Sequence, residues 1–326
     1  MAEAAGHLAV EATEDGRPGS GNLGDRVFNG VLWTLGILVL VVAGLIVLNL
    51  ALVARPLAKE HSLWGFITST EWNPVEDHFG ALTFLYGTLV TSAVSIVVSV
   101  PIAIGLSLFI TQFAPAKLGR ILTIPVELLA AIPSVVYGLW GLFIVVPWLR
   151  ESLQPWLGKH FGFLPIFSGP PIGLGYFASG IILAVMILPT IVAVSVEVMK
   201  TTPEANREAA LALGATKWEA VMMAVIPYSR AGILGAVLLG LGRALGETMA
   251  VTMVIGNSPQ ISASLFAPGY SLPAVIANEF AEATSAVHVA ALAGLALVLL
   301  GISIALNAVA RVLVHATRSS PAGGHA

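Results

Sequence analysis

Long apolar segments alternate with shorter polar ones along most of the chain. Six apolar segments are long enough to cross the bilayer as helices, since a helix of about 20 residues spans the hydrocarbon core. They cover residues 33–53, 81–111, 121–148, 176–198, 231–255 and 287–313. The pattern therefore predicts an all-α, polytopic membrane protein with six transmembrane helices.

The two ends of the chain are polar and lie outside these segments. Residues 1–32 are rich in glycine and acidic side chains and show no apolar periodicity, so they are predicted to be a disordered tail. Residues 315–326 form a second, short polar tail. One six-span domain over residues 33–314 remains between them.

The connection between the fourth and fifth spans is charged and amphipathic. It predicts two short helices outside the membrane. Thr201 or Thr202 is expected to cap the first helix, and Gly214 to end it. The second helix is expected to start at Thr216, to present one apolar face and to stop at Pro227.

The distribution of basic residues predicts the orientation of the chain. With six spans, both tails and the second and fourth connections share one side of the membrane, which carries ten of the 15 lysines and arginines. The other side carries four, and Arg243 lies inside the fifth span. Because cytoplasmic loops are enriched in lysine and arginine, both termini and the helix pair are predicted to be cytoplasmic.

The third span contains the sequence Ile132-Pro133, followed by Gly138 and Gly141. A proline inside a helix removes a hydrogen bond and kinks the chain. We expect a kink at this point with close packing at the two glycines. The alternative is that the same residues form a gate.

The composition excludes several classes of protein. With 57% hydrophobic and only 10% charged residues, the chain is not a soluble globular protein. It contains no cysteine, which excludes thiolate metal sites and disulfides. The histidines lack metal-ligand spacing and are expected to be solvated, and the phosphate-binding motif G-x-x-x-x-G-K-[ST] is absent. The chain is therefore predicted to be no enzyme and to bind neither metal nor cofactor.

Two charges, Arg243 and Glu247, stand inside the fifth predicted span, four residues apart and hence on one helical face. Each costs roughly 2.5–3.5 kcal/mol at the bilayer centre, so each needs a partner or water. In one interpretation, Arg243 binds a passing anion and Glu247 holds the arginine between passages. In the other, the two form a structural ion pair, joined by Glu127 of the third span. Gly242 and Gly246 form a small-xxx-small step at which another helix is expected to pack.

The short helix pair carries the pattern Glu208-Ala209-Ala210, then Gly214, then Ile226-Pro227. This pattern resembles the EAA loop of ABC importer permeases. The slim alanine face itself favours seating in a groove on a partner, with Glu208 at its edge. The alternative is a helix pair that rests on the membrane surface.

Three longer segments narrow the resemblance. Residues 127–141, 208–218 and 242–250 together are similar to the phosphate-specific ABC importer permeases of the PstC type. The similarity extends over residues 32–314, so only the two tails lie outside it.

The resemblance implies a type I importer of the bacterial plasma (inner) membrane. A PstC-like and a PstA-like permease would line one path in the lipid, two copies of a PstB-like ATPase would use ATP to drive it, and an external PstS-like protein would deliver phosphate. No nucleic acid takes part. The substrate path is expected to contain Arg243, Glu247 and Glu127. The ATPase groove is expected to receive the coupling helices of residues 203–225, with Glu208, Ala209, Ala210 and Gly214 at the contact.

Three alternatives stay open at this point. The chain could be a permease for another oxyanion, such as molybdate or sulfate, with the same coupling loop. It could also be a stand-alone, ion-coupled anion transporter that uses Arg243 as its substrate site, or a membrane partner of a phosphate sensor.

Overall fold

A computed structural model describes residues 23–60 and 62–318 of the chain. The chain divides into two compact units, Met1–Asn49 and Leu50–Ala326. The described part of the first unit is helical. The predicted boundary of the N-terminal tail is therefore wrong, because helix already covers residues 23–32 and so begins before the apolar segment; residues 1–22 lie outside the described part.

Apart from one two-stranded hairpin, the described elements are helical, which confirms the all-α class. In chain order they are α1 (Leu23–Val53), α2 (Arg55–Glu60), α3 (Leu63–Thr68), β1 (Trp72–Asn73), β2 (His78–Phe79), α4 (Leu82–Leu108), α5 (Ala116–Ala131), α6 (Ser134–Trp140), α7 (Val146–Trp148), α8 (Gln154–Phe161), α9 (Tyr176–Lys200), α10 (Glu204–Ala212), α11 (Lys217–Ala220), α12 (Ile226–Gly246), α13 (Met249–Thr252), α14 (Leu272–Glu279) and α15 (Ala286–Arg318). Wider π-helical turns cover Phe109–Phe113, Gly141–Val145, Leu149–Leu153 and Val221–Val225, and a 3₁₀ turn covers Pro165–Phe167.

The first, second, fourth and sixth predicted spans are confirmed as long apolar helices. Their spanning portions are Arg26–Val53, Leu82–Phe113, Tyr176–Lys200 and Ala286–Val312. A further helix, Lys217–Gly246, contains most of the fifth predicted span. It starts 14 residues before the predicted start at residue 231 and ends nine residues before the predicted end at residue 255. Among the described residues, five helices are thus long and apolar enough to cross a membrane, or six when a bent helix pair is one span.

The C-terminal tail is shorter than predicted. α15 continues to Arg318, so residues 315–318 extend the last helix, while residues 319–326 lie outside the described part.

The bent pair replaces the third predicted span. α5 and the helical segment Ser134–Phe161 meet at an angle of 96°. Ile132 is extended, with φ −69° and ψ 130°, because the ring of the following proline disfavours helical backbone at the preceding residue. The Tyr137 hydroxyl donates to the Leu129 carbonyl over 2.7 Å, which satisfies a carbonyl at the end of α5. The predicted kink is confirmed in position and is a complete break.

α9 lies at the centre of the core of the larger unit. It packs against α4, α5 and α12, and its residues Ile182, Met186 and Ile191 are fully buried. Neighbouring helices approach it closely at glycines. A Cβ on Gly141 would lie 2.2 Å from Ile182, and one on Gly240 of α12 would lie 2.8 Å from Ile191. The close packing predicted at Gly141 is therefore confirmed.

No helix in the described part of this chain packs at Gly242 and Gly246, so the packing expected there stays a prediction. A Cβ at either position would meet no neighbouring atom within 4 Å. α12 instead meets α9 through Gly232 and Gly240, which lie on another face of the helix. The face with Gly242 and Gly246 is left uncovered.

A second cluster of buried side chains surrounds the hairpin. This hairpin cluster consists of Trp72, Phe79, Phe84, Glu279 and His288. The Glu279 carboxylate accepts a hydrogen bond from Trp72 Nε1 over 2.9 Å and lies 3.1 Å from His288 Nε2. His288 is only 6% exposed, and its ring stacks on Phe79 with centroids 5.2 Å apart. The prediction that this histidine is solvated is wrong, because the end of α14 brings a carboxylate over it.

Candidate functional site

The helices α9, α12 and α15 line a cavity of about 770 Å³, called here the arginine cavity. Most of its lining residues are leucine, glycine, alanine or valine, and its polar lining residues are Thr190, Arg243, Asn307 and Arg311. Among the described residues that line it, none is an aspartate or glutamate. An apolar cavity with a few cationic donors suits an anionic ligand.

Arg243 is half-buried near the end of α12. Its Nη1 donates to Thr190 Oγ1 of α9 over 3.3 Å, the one hydrogen bond that joins it to another described residue. A guanidinium carries five N–H donors, and threonine is neutral. The contact therefore orients the arginine without compensating its charge, and it leaves donors for a ligand.

Glu247 does not lie on the same helix as Arg243, so the predicted i,i+4 pair is wrong. α12 ends at Gly246, and Glu247 is extended with φ −71° and ψ 126°. Its Oε1 accepts from the Ala250 amide over 3.1 Å, which satisfies a free N–H at the start of α13. No ion pair joins Glu247 to Arg243 among the described residues. The carboxylate caps the next helix, and its place on a substrate path stays a prediction.

Glu127 lies on an exposed face of α5. Among the described residues, no hydrogen bond or ion pair joins it to Arg243, and it does not line the arginine cavity. The structure thus does not bring the three predicted path residues together. The role of Glu127 on the path also stays a prediction.

The EAA pattern lies on α10 and the turn after it. Glu208 and Ala209 are exposed and Ala210 is half-buried. Gly214 adopts φ +88°, a left-handed conformation that favours glycine, and ends the helix as predicted. The surface-exposed Glu208 and Ala209 are therefore accessible to a partner.

The two predicted caps of the coupling helices have different outcomes. α10 has Pro203 at its N-cap without a side-chain hydrogen bond, so the predicted threonine cap is wrong. Thr202 instead pairs its hydroxyl with that of Ser229 on α12 over 3.1 Å. At α11, Thr216 and Glu219 form the predicted capping box.

The second coupling helix does not stop at Pro227. α11, the π-helical turn Val221–Val225 and α12 form one helix from Lys217 to Gly246. Pro227 falls in the first turn of α12, directly after the π-helical turn, where a wider turn accommodates a residue without an amide hydrogen. The helix that begins beside the EAA turn therefore runs unbroken to Arg243.

Comparison with known proteins identifies relatives along nearly the whole chain. Residues 99–319 match the family described as binding-protein-dependent transport system inner membrane component. The phosphate transport system permease protein PstC of Mesorhizobium japonicum is 43% identical over 310 residues, 94% of each chain. That of Xylella fastidiosa is 44% identical over 278 residues, 81% of this chain and 86% of the relative. The chain belongs to the PstC family of phosphate transport system permeases. The resemblance drawn from the three motif segments is confirmed.

The fold of this PstC-family chain also resembles a solved ABC transporter. The structure titled "Inward facing conformations of the MetNI methionine ABC transporter" superimposes with a TM-score of 0.51, covering 73% of this chain and 94% of that one at 18% identity. That likeness concerns the fold alone. The PstC-family chain is a multi-pass protein of the bacterial inner membrane, as predicted.

Sequence reasoning missed three polar residues of the arginine cavity. Thr190 belongs to a span with no charge near it, and the sequence pattern marks Arg311 only as a basic residue at the predicted cytoplasmic end of the last span. Asn307 and Arg311 are four residues apart in an apolar helix. That spacing, which places both on one face, was the available signal.

Proposed function

We propose that this chain is a permease subunit of an ATP-driven phosphate importer, with both termini in the cytoplasm. The observation that carries the proposal is Arg243, a cation without a carboxylate partner in an apolar cavity between three spanning helices. The names of the relatives supply phosphate as the substrate. The excess of basic residues on the side of the coupling helices supports the orientation.

Arg243 acts as a binding site on the path. A guanidinium presents two parallel N–H groups that match two oxygens of a tetrahedral oxyanion, and such charge-assisted bonds are stronger than neutral ones. Thr190 holds the arginine from one side, so little rotamer freedom is lost when the anion arrives. Phosphate that leaves the external binding protein exchanges its water shell for these donors.

The coupling helices connect this site to the energy source. The exposed Glu208 and Ala209 of α10 seat in a groove on a PstB-like ATPase, two copies of which bind and hydrolyse ATP. The Thr202–Ser229 hydrogen bond ties the residues just before α10 to the helix that carries Arg243. Movement of the ATPase therefore reaches the cavity through one helix.

A second, PstA-like permease completes the path. The uncovered face at Gly242 and Gly246 adjoins the arginine cavity and permits close approach of another helix. A PstS-like protein delivers phosphate from outside. This chain hydrolyses no ATP by itself.

The test is phosphate uptake into proteoliposomes that contain the assembled importer, ATP and the external binding protein. We expect ATP-dependent uptake that excess sulfate or molybdate does not reduce. The Arg243→Gln variant should assemble normally and lose uptake, whereas Arg120→Gln, an exposed arginine on α5, should match the wild type.

Four results would contradict the proposal. Uptake by this chain without the ATPase would favour a stand-alone transporter, and competition by sulfate or molybdate would favour another substrate. Wild-type uptake by Arg243→Gln would remove Arg243 from the path. ATP hydrolysis by the purified chain alone would refute its assignment as a non-enzymatic subunit.

A further inference from the structure

The arginine cavity contains a second cation that the proposed function does not use. Arg311 of α15 lines the cavity together with Arg243 and Asn307. It lies within the helix, which continues to Arg318. Arg311 is therefore part of the wall of the cavity as well as part of the basic end of the last span.

The lining residues fix the order of the two arginines along the cavity. A narrow gap between α12 and α15 is lined by Gly242 and Leu245 on one side and by Leu306 and Asn307 on the other. Asn307 is thus level with the residues next to Arg243. Arg311 follows four residues later, about 6 Å farther along α15 at roughly 1.5 Å per residue. Since α15 ends on the predicted cytoplasmic side, Arg311 lies one turn closer to the cytoplasm.

The charge of Arg311 is also uncompensated. No hydrogen bond or ion pair joins it to another described residue, and the described lining of the cavity contains no carboxylate. Arg311 is exposed in this chain, and two cations that line one cavity favour an anion between or beside them. A doubly charged, tetrahedral oxyanion of the phosphate type has the charge and the acceptors for both.

We propose that Arg311 is a second contact for the transported phosphate, which passes from Arg243 to Arg311 before release into the cytoplasm. The proposal rests on the proposed function of the chain. Asn307, level with Arg243 and one turn before Arg311, lines the route between them. The phosphate group of a lipid headgroup has the same chemistry, and the experiment separates the two sources.

The absence of cysteine from the chain makes a direct test possible, because a single introduced thiol is its only reactive one. The Arg311→Cys importer in proteoliposomes should take up phosphate at most at about a tenth of the wild-type rate, a loss of about 1.4 kcal/mol of stabilisation. Aminoethyl methanethiosulfonate, which attaches a cation there, should restore uptake at least threefold. Methyl methanethiosulfonate, which attaches a neutral group, should not.

The matched controls are Arg120→Cys and the untreated and treated wild type, all of which should transport normally. Co-purification of the ATPase with each variant verifies assembly. If Arg311→Cys does not assemble, the Arg311→Lys variant tests the proposal instead. Because lysine keeps the positive charge, this variant should assemble, and its KM for phosphate should be at least threefold higher than that of the wild type. A wild-type KM for that variant would overturn the proposal.

The measurements are repeated in zwitterionic vesicles and in vesicles with one-fifth phosphatidylglycerol. Equal losses in both support a contact with free phosphate. A loss confined to phosphatidylglycerol vesicles would assign Arg311 to a lipid headgroup and overturn the proposal. Normal uptake by Arg311→Cys with inactive Arg243→Gln would overturn this inference alone, whereas a wild-type importer that transports no phosphate would refute the proposed function itself.

Discussion

Replacing Glu279 by leucine is expected to destabilise the hairpin cluster. The carboxylate is the shared acceptor for Trp72 Nε1, at 2.9 Å, and for His288 Nε2, at 3.1 Å. Leucine is similar in size but accepts no hydrogen bond, so both ring N–H groups lose their partner inside a largely buried cluster.

The size of the loss follows from this geometry. A buried donor left without a partner costs about 1–3 kcal/mol. His288 is 8% and Glu279 18% exposed at the side chain. Both line a cavity of about 800 Å³, so water replaces part of the lost hydrogen bonding. We therefore expect the lower half of the summed range, about 2–4 kcal/mol, which lowers the melting temperature of a chain of this size by roughly 3–6 °C.

The assay is the melting temperature of the assembled importer in detergent, taken from the fraction that stays soluble and intact on gel filtration after heating. Glu282→Leu is the matched control, because Glu282 is exposed and makes no side-chain hydrogen bond with another described residue; it should melt within about 1 °C of the wild type. Trp72→Phe, which removes one donor and keeps the other, should show a smaller loss. A melting temperature of Glu279→Leu equal to that of the control would refute the shared-acceptor argument.

Three further predictions concern the path from the coupling helices to the core. Gly240→Leu should destabilise the importer by about 1–3 kcal/mol, because its side chain would displace an isoleucine of α9, whereas Gly235→Ala, with no neighbour within 4 Å, should leave the melting temperature nearly unchanged. Glu208→Arg should abolish co-purification of the ATPase and ATP-driven uptake without changing membrane insertion, and the same change at Glu71, an exposed residue outside the coupling helices, should retain both; retained co-purification by Glu208→Arg would contradict the docking assignment. Thr216→Ala should cost about 1 kcal/mol through loss of the capping box, seen as faster proteolysis of the coupling segment, and equal proteolysis rates would count against it.

The spans were predictable because a helix that crosses the lipid must expose apolar side chains over about 20 residues, and such segments are visible in the sequence. The break at Pro133 was also visible, since a proline restricts the residue before it regardless of the tertiary fold. The bend of 96°, however, depends on what packs around α6. The residues around Pro133 alone therefore do not predict the size of the bend.

The geometry around Arg243 was predicted only in part. A charge inside a span indicated the site, but four-residue spacing was read as a helical pair with Glu247. The helix ends one residue too early for that pair, because the carboxylate caps α13 instead. Arg311 was missed because the cavity that it lines is formed by helices distant from one another in the chain. The burial of His288 was missed because Trp72 and Phe79, far away in the chain, pack against its ring.

The unbroken helix from Lys217 to Gly246 also has a mechanical consequence. Arg243 lies 26 residues after Lys217, about 39 Å along the axis at roughly 1.5 Å per residue. A tilt of about 5° around the midpoint of this rod displaces each end by roughly 1.7 Å. The Arg243–Thr190 hydrogen bond, at 3.3 Å already near its limit, does not survive a displacement of that size away from α9. A tilt of that size at the Lys217 end would therefore be enough to release the arginine from Thr190.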